Sequence, residues 1–206
     1  VRVSTGPVDK MVVRAVKKVR AISDPGDLLD EIQVRINKEA GVVKIETNHP
    51  NGSFSKQYSV AFNIKVPPKT ALNLETRNGS LRVEDVKGDI RADSRNGRIS
   101  VERGSGEVDL ETRNGSIRVA GHFRRVKAEA GNGSIDVETK GVLDHGAGAK
   151  TAHSQKKGTE VNLITRNGSV DLRGVVSSFK VRSKNGSLKV TLHKDSVLAL
   201  DSRAQT

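Results

Sequence analysis

The chain lacks cysteine and tryptophan altogether and has one tyrosine, one methionine and five prolines among 206 residues. Without cysteine there is no disulfide framework, no thiolate zinc site and no thiol nucleophile. An oxidising compartment stays open, because exported proteins can dispense with cysteine. Aromatic residues make up 2% of the chain, too few for large core anchors or for the stacking platforms that hold single-stranded nucleic acid. No stretch approaches the ~18 apolar residues of a membrane span, and Val1 belongs to no signal-like n-region, so the chain reads as a trimmed or processed piece with no transmembrane segment.

What remains is aliphatic and basic. Val, Ile and Leu are too regularly spaced for a disordered chain. Thirty-six Lys and Arg against 24 Asp and Glu give a formal charge of +12, which favours anionic polymers or surfaces as partners.

The decisive feature is a repeat. Asn-Gly pairs fall at Asn78-Gly79, Asn96-Gly97, Asn114-Gly115 and Asn132-Gly133, 18 residues apart, and again at Asn167-Gly168 and Asn185-Gly186. The two groups are separated by 35 residues, one short of two periods. Aligned on Asn, the columns alternate with the period of a strand. Three residues after Asn stand Leu81, Ile99, Ile117, Ile135, Val170 and Leu188, and five after it Val83, Val101, Val119, Val137, Leu172 and Val190. Four before it stand Leu74, Ala92, Leu110, Ala128, Leu163 and Val181, and six before it Leu72, Ile90, Val108, Val126, Val161 and Phe179. These columns face inward, and the charged columns between them face water.

Two all-β architectures fit. In the first, each Asn-Gly closes an antiparallel hairpin, giving a meander or sandwich. In the second, each period is one coil of a parallel β-solenoid, with a further turn at Val86-Lys87-Gly88 or Gly104-Ser105-Gly106. The solenoid is favoured because it explains why whole columns keep their identity: each residue stacks on its own kind. Right-handed winding follows from the general rule for parallel crossovers. Dividing the residues from 71 to 206 by the period predicts seven to eight coils.

Residues 1–70 read as an N-terminal strand-rich cap and 71–206 as the solenoid. In the cap, strands are expected around Val12–Val16, Ile32–Ile36, Val42–Ile45 and Val60–Val66, turns at 23–26 and 49–52, and one helical turn over 27–31. Residues 139–158 interrupt the repeat as either a degenerate coil or a loop, and loops on rigid scaffolds often carry function. The segment VLALDSR at 197–203 resembles ALNLETR at 71–77 and reads as a last strand.

For chemistry, the sharpest column is the one just before Asn: Arg77, Arg95, Arg113, Arg166 and Lys184. Stacked one strand spacing apart, such cations repel by under ~1 kcal/mol per neighbouring pair in water. Glu75, Asp93 and Glu111, two residues away on the same face, are placed to neutralise the row as a solvated lattice. The competing reading is a polyanion-binding ladder for an anionic glycan or surface polymer. Specific nucleic-acid binding is disfavoured, since no recognition helix is present.

Asp144, His145 and His153 share a glycine-rich stretch that could hold a metal, but chance proximity in a polar loop is the favoured reading and no metal site is assigned. The acids form a stripe rather than a lone pair, and the serines after Asn-Gly (Ser80, Ser116, Ser134, Ser169, Ser187) recur without a histidine at fixed spacing. No catalytic residue and no cofactor follow from this. The Asn-Gly pairs themselves are a structural turn ladder. Solenoid ends are open to stacking, so self-association through them is a further expectation.

The units ETRNGSLRVEDVKGDIRADSRNGRISVERGSGEVDLETRNGSIRV, preceded by YSVAFNIKVPPKTALNLET, resemble the bacterial adhesin-like family of domains of unknown function. That resemblance implies an exported β-solenoid, periplasmic or on the cell surface, acting as a non-enzymatic binding or scaffolding module. The reading from another class is a glycan-active hydrolase or lyase with its site near 139–158.

Overall fold

The structure is a computed structural model that describes residues 1–6, 10–21, 29–30, 32–48, 56–143 and 156–196. Its strands are β1 (Arg2–Thr5), β2 (Val12–Ala21), β3 (Gln33–Glu39), β4 (Val42–Asn48), β5 (Lys56–Val66), β6 (Leu72–Asn78), β7 (Leu81–Glu84), β8 (Ile90–Asn96), β9 (Ile99–Asn114), β10 (Ile117–Asn132), β11 (Ile135–Thr139), β12 (Val142–Leu143), β13 (Lys156–Lys157), β14 (Thr159–Asn167), β15 (Val170–Gly174), β16 (Val176–Asn185) and β17 (Leu188–Leu192). The chain forms two units, Val1–Met11 with Lys65–Thr206, and Val12–Ile64.

The larger unit is a parallel β-solenoid of about six turns with roughly 18-residue spacing. Each turn, or rung, contributes one strand on either side of its Asn-Gly pair, so the stack has two parallel sheets. The strands before Asn pair in the order β6, β8, β9, β10, β14, β16. Those after it pair as β1, β7, β9, β10, β11, β15, β17. Register follows the repeat, with Leu81 opposite Ile99 and Asn96 opposite Asn114. The hairpin alternative fails on direction and on turn geometry. A type I′ turn needs positive φ at both central residues, whereas Ala40, Asp85 and Arg103 are the described non-glycine residues with positive φ, and none of the Asn is among them.

The four apolar columns fill the space between the sheets. From the second to the fifth rung every one of these side chains is at most 2% exposed. At roughly 1.5–3 kcal/mol per buried aliphatic side chain, each rung is held only when neighbours cover both of its sides. The last rung has no such cover among the described residues: Phe179, Leu188 and Val190 are 36%, 50% and 38% exposed.

The second corner differs from the expected turn at Gly104-Ser105-Gly106. There β9 runs on without a break, and Arg103 (φ 54°) is skipped in the pairing with β10. Its equivalent one rung earlier, Asp85 (φ 62°), is also left-handed. The two are stapled by a bidentate bond, Arg103 Nε to Asp85 Oδ1 at 2.8 Å and Nη2 to Oδ2 at 3.0 Å. A bulge that bends the strand replaces a loop.

The interruption is a loop and not a coil. Asn132 lies directly opposite Asn167, and Ile135 opposite Val170. One turn therefore spans 35 residues where the others span 18, and no further rung stands between those of Asn132 and Asn167. This lowers the seven to eight coils expected from length to six. The excursion starts as an antiparallel pair, β12 with β13. At its root Thr139 Oγ1 lies 2.6 Å from Thr159 Oγ1, and Thr159 Oγ1 donates to the Phe123 carbonyl at 2.7 Å.

The boundary near residue 70 also moves. Arg2–Thr5, expected in the cap, pairs with β7 as a solenoid strand. In the smaller unit β3 and β4 form an antiparallel hairpin around Ala40 (φ 46°) and Gly41 (φ 81°). The expected turns at 23–26 and 49–52 and the last strand at 197–203 lie outside the described residues, as does all of 27–31 but Leu29 and Asp30.

Candidate functional site

The Asn-Gly corner is built by two ladders. Each Asn amide donates from Nδ2 to the Oδ1 of the Asn one rung before: Asn96 to Asn78 at 2.8 Å, Asn114 to Asn96 at 2.9 Å and Asn132 to Asn114 at 2.8 Å. Asn167 to Asn132 and Asn185 to Asn167, both at 2.7 Å, complete the row. The loop of 139–158 leaves this line unbroken. Beneath it the glycine amides bond the Asn carbonyls of the next rung, for example Gly97 N to Asn114 O at 3.0 Å. The corner is thus a rigid straight edge running along the solenoid axis.

Arg77, Arg95, Arg113, Arg166 and Lys184 flank that edge, and all five are exposed. The expected neutralising lattice does not form on them: no ion pair joins any of these cations to Glu75, Asp93 or Glu111 among the described residues. Opposite charges pair between rungs in other columns instead, as in Arg125 with Glu160 at 3.1 Å and Lys127 with Asp109 at 3.4 Å. The physical reason is direction. Stacking in register brings opposite charges of one column together, and the column before Asn holds no acid; pairs two residues apart on one strand do form on the other sheet, as in Arg82 with Glu84 and Arg173 with Asp171. The row has one gap, Gly131 on the fourth rung, where a Cβ would meet the Arg113 carbonyl oxygen at 2.5 Å. Arg98, which sequence reasoning did not single out, adds an exposed cation beside the same edge and donates to Ser116 Oγ at 3.0 Å. Its signal was there: it stands in a column otherwise filled by serine.

On the sheet that follows Asn, Glu84 is 5% exposed yet charged. Arg2 donates to its Oε2 from Nε at 3.0 Å and Nη2 at 2.7 Å, and Arg82 donates to its Oε1 at 3.2 Å. The Arg2 bond, with the charges of Arg2, Arg82 and Arg103, holds the carboxyl below the usual carboxylate range against the opposing effect of burial. Because the folded-state value is depressed, the stabilisation is fully present above about pH 4.3, the ordinary Glu value, and is lost as pH falls through the folded value. A Glu84→Gln variant is expected to show a lower urea midpoint at neutral pH and a flatter loss of stability from about pH 5 down to pH 2. A variant curve parallel to the wild type would remove Glu84 from the acid transition.

A shallow open concavity lies where the loop leaves the stack, bordered by His122, Glu138, Lys140, Arg173, Val175 and His193. His122 Nδ1 sits 2.9 Å from the Gly141 carbonyl oxygen, and Arg173 Nε donates to Asp171 Oδ1 at 3.0 Å. Among the described residues the concavity holds one carboxylate, Glu138, where glycoside hydrolysis uses a facing pair. Asp144, His145 and His153 lie outside the described residues. Among the described residues no group of three His, Cys, Asp or Glu could hold a metal ion, and no helix is long and apolar enough to cross a membrane.

Comparison with protein-family models, with curated proteins and with solved structures gives no match, so the function is read from the chemistry of the rungs alone.

Proposed function

We propose that the solenoid is a non-enzymatic binding or scaffolding module whose ligand is a linear polyanion, an acidic glycan or surface polymer laid along the Asn-Gly edge. The observation that carries this reading is the exposed cation row, free of acidic partners, beside a hydrogen-bonded straight edge. A chain running parallel to the axis meets one cation per strand spacing of about 4.8 Å over three rungs and, past Gly131, two more. Because backbone ladders fix the spacing of the row, binding has to order only the cationic side chains themselves. The likeness of the repeats to adhesin-like domains supports a place outside the cytoplasm, in the periplasm or at the cell surface. The glycan-active alternative draws support from the concavity at the loop root, but a single carboxylate there favours binding over turnover.

Binding of polygalacturonate and of dextran sulfate, followed by calorimetry at several salt concentrations, tests the ladder. Log affinity should fall steeply and linearly with log salt. In a variant with Arg77, Arg95 and Arg113 all changed to Gln, the slope should drop by roughly 2–3 and affinity should fall by on the order of tenfold to a hundredfold. A salt-independent affinity, or a triple variant that binds like the wild type, would dismiss the ladder. Cleavage of either polymer would favour the enzyme.

A further inference from the structure

The last described rung stands apart in charge. Three residues before Asn the column reads Glu75, Asp93, Glu111 and Glu129, then Ile164 and finally Arg182. Four residues after Asn the column reads Arg82, Ser100, Arg118, Asp136 and Asp171, then Lys189. Neither β16 nor β17 contains an acid. Lys180, Arg182, Lys184 and Lys189 all point outward and are exposed. Lys189 lies near Asp171, whose carboxyl is held down mainly by the hydrogen bond from Arg173, with the charges of Arg173 and Lys189 adding to it against burial; Lys180, Arg182 and Lys184 have no acidic partner among the described residues.

Inside this cationic rim no cap covers the apolar columns among the described residues, and Phe179, Leu188 and Val190 are exposed. β16 pairs only with β14, and β17 only with β15, so each has a free edge among the described residues. An apolar centre ringed by fixed cations is the complement of an anionic lipid surface. Aliphatic and aromatic side chains enter the acyl boundary while Lys and Arg meet the headgroups.

We propose that the solenoid docks end-on, through the rung formed by β16 and β17, against an anionic lipid bilayer. A second copy fits this end less well. A symmetric end-to-end pair sets the cations against their own equivalents; at the opposite end β1 occupies the edge of β7, while β6 keeps a free edge among the described residues, so head-to-tail stacking could pair one sheet only. Docking shares Lys184 with the polyanion row but none of the cations of its first three rungs. Arg113 lies three rungs from the end, about 14 Å at strand spacing, beyond the ~8 Å Debye length at physiological salt.

The chain has no tryptophan, so Leu188→Trp gives a single reporter at a half-exposed terminal position, with the thermal transition checking that the fold is kept. The emission of the full chain should be that of a solvent-exposed indole. It should shift to the blue on vesicles of phosphatidylcholine with phosphatidylserine and stay unchanged on phosphatidylcholine alone. Changing Lys180, Arg182, Lys184 and Lys189 to Gln in the same background should weaken partitioning by on the order of a hundredfold. The Arg77, Arg95 and Arg113 triple variant should partition within about twofold of the parent, because screening removes distant charges. Four results would overturn the proposal: no shift on anionic vesicles, an equal shift on neutral ones, blue emission before lipid is added, or a dimer by light scattering that dissociates when Leu188 is changed to Ser.

Discussion

Replacing Gly133 with valine is expected to cost about 3–5 kcal/mol, the largest loss from any single change at the Asn-Gly edge. Gly133 has φ 154°, and a Cβ there would lie 1.9 Å from the Gly115 carbonyl oxygen and 2.5 Å from its carbon. Those atoms belong to the backbone of the rung below and are tied into the ladder by Gly115 N to Asn132 O at 2.9 Å. They cannot yield without parting the rungs. Gly79→Val separates the two causes. Gly79 also has positive φ (134°), but the nearest atom to its Cβ is Thr76 Oγ1 at 4.0 Å. Its cost should be the conformational part alone, about 1–2 kcal/mol. Urea denaturation of both variants checks this, and equal losses would show that the approach of the rungs is not what demands glycine.

Phe123→Ala is expected to cost about 3–5 kcal/mol. Phe123 is fully buried and heads the largest enclosed side chains of the described core. Its ring occupies the second corner. A Cβ on Gly104 would come within 3.0 Å of its Cζ, and one on Gly121 within 2.8 Å of its Cε2. Those two glycines make the room and carry no side chain to refill it, so truncation is expected to leave a cavity. A thermal transition lowered by only a degree or two would mean that the corner repacks.

The stack was legible because its signal is redundant. Six Asn-Gly pairs and four apolar columns say the same thing, and stacking explains column identity where hairpins do not. The row of Arg77, Arg95 and Arg113 was legible for the same reason. Its freedom from Glu75, Asp93 and Glu111 was not, because spacing along a strand gives a shared face but not which neighbour a side chain reaches. In-register stacking makes the column one rung away the nearer one. The Asp85–Arg103 staple could have been found by that rule, since the two residues stand 18 apart with opposite charge. Phe123 lies outside the repeating columns, in a corner whose shape depends on a bulge, and only the glycines at 104 and 121 hint at it. The first strand, Arg2–Thr5, carries no Asn-Gly and was therefore grouped with the cap. The interruption was ambiguous because a gap one residue short of two periods suits a worn coil as well as a detour. The direct bond from Asn167 to Asn132 decides for the detour.

That detour makes the fold a ready splice port. Where the chain departs and returns, Thr139 and Thr159 clasp each other and Val175 N bonds the Thr139 carbonyl oxygen at 3.0 Å. The two ends are therefore pinned together whatever lies between them. Closing a longer bridge across a pinned gap costs only about 0.6 kcal/mol for each doubling of its length. Foreign peptides or whole small domains can accordingly be grafted between these threonines and carried on the flank of the rod, with the winding on either side left undisturbed.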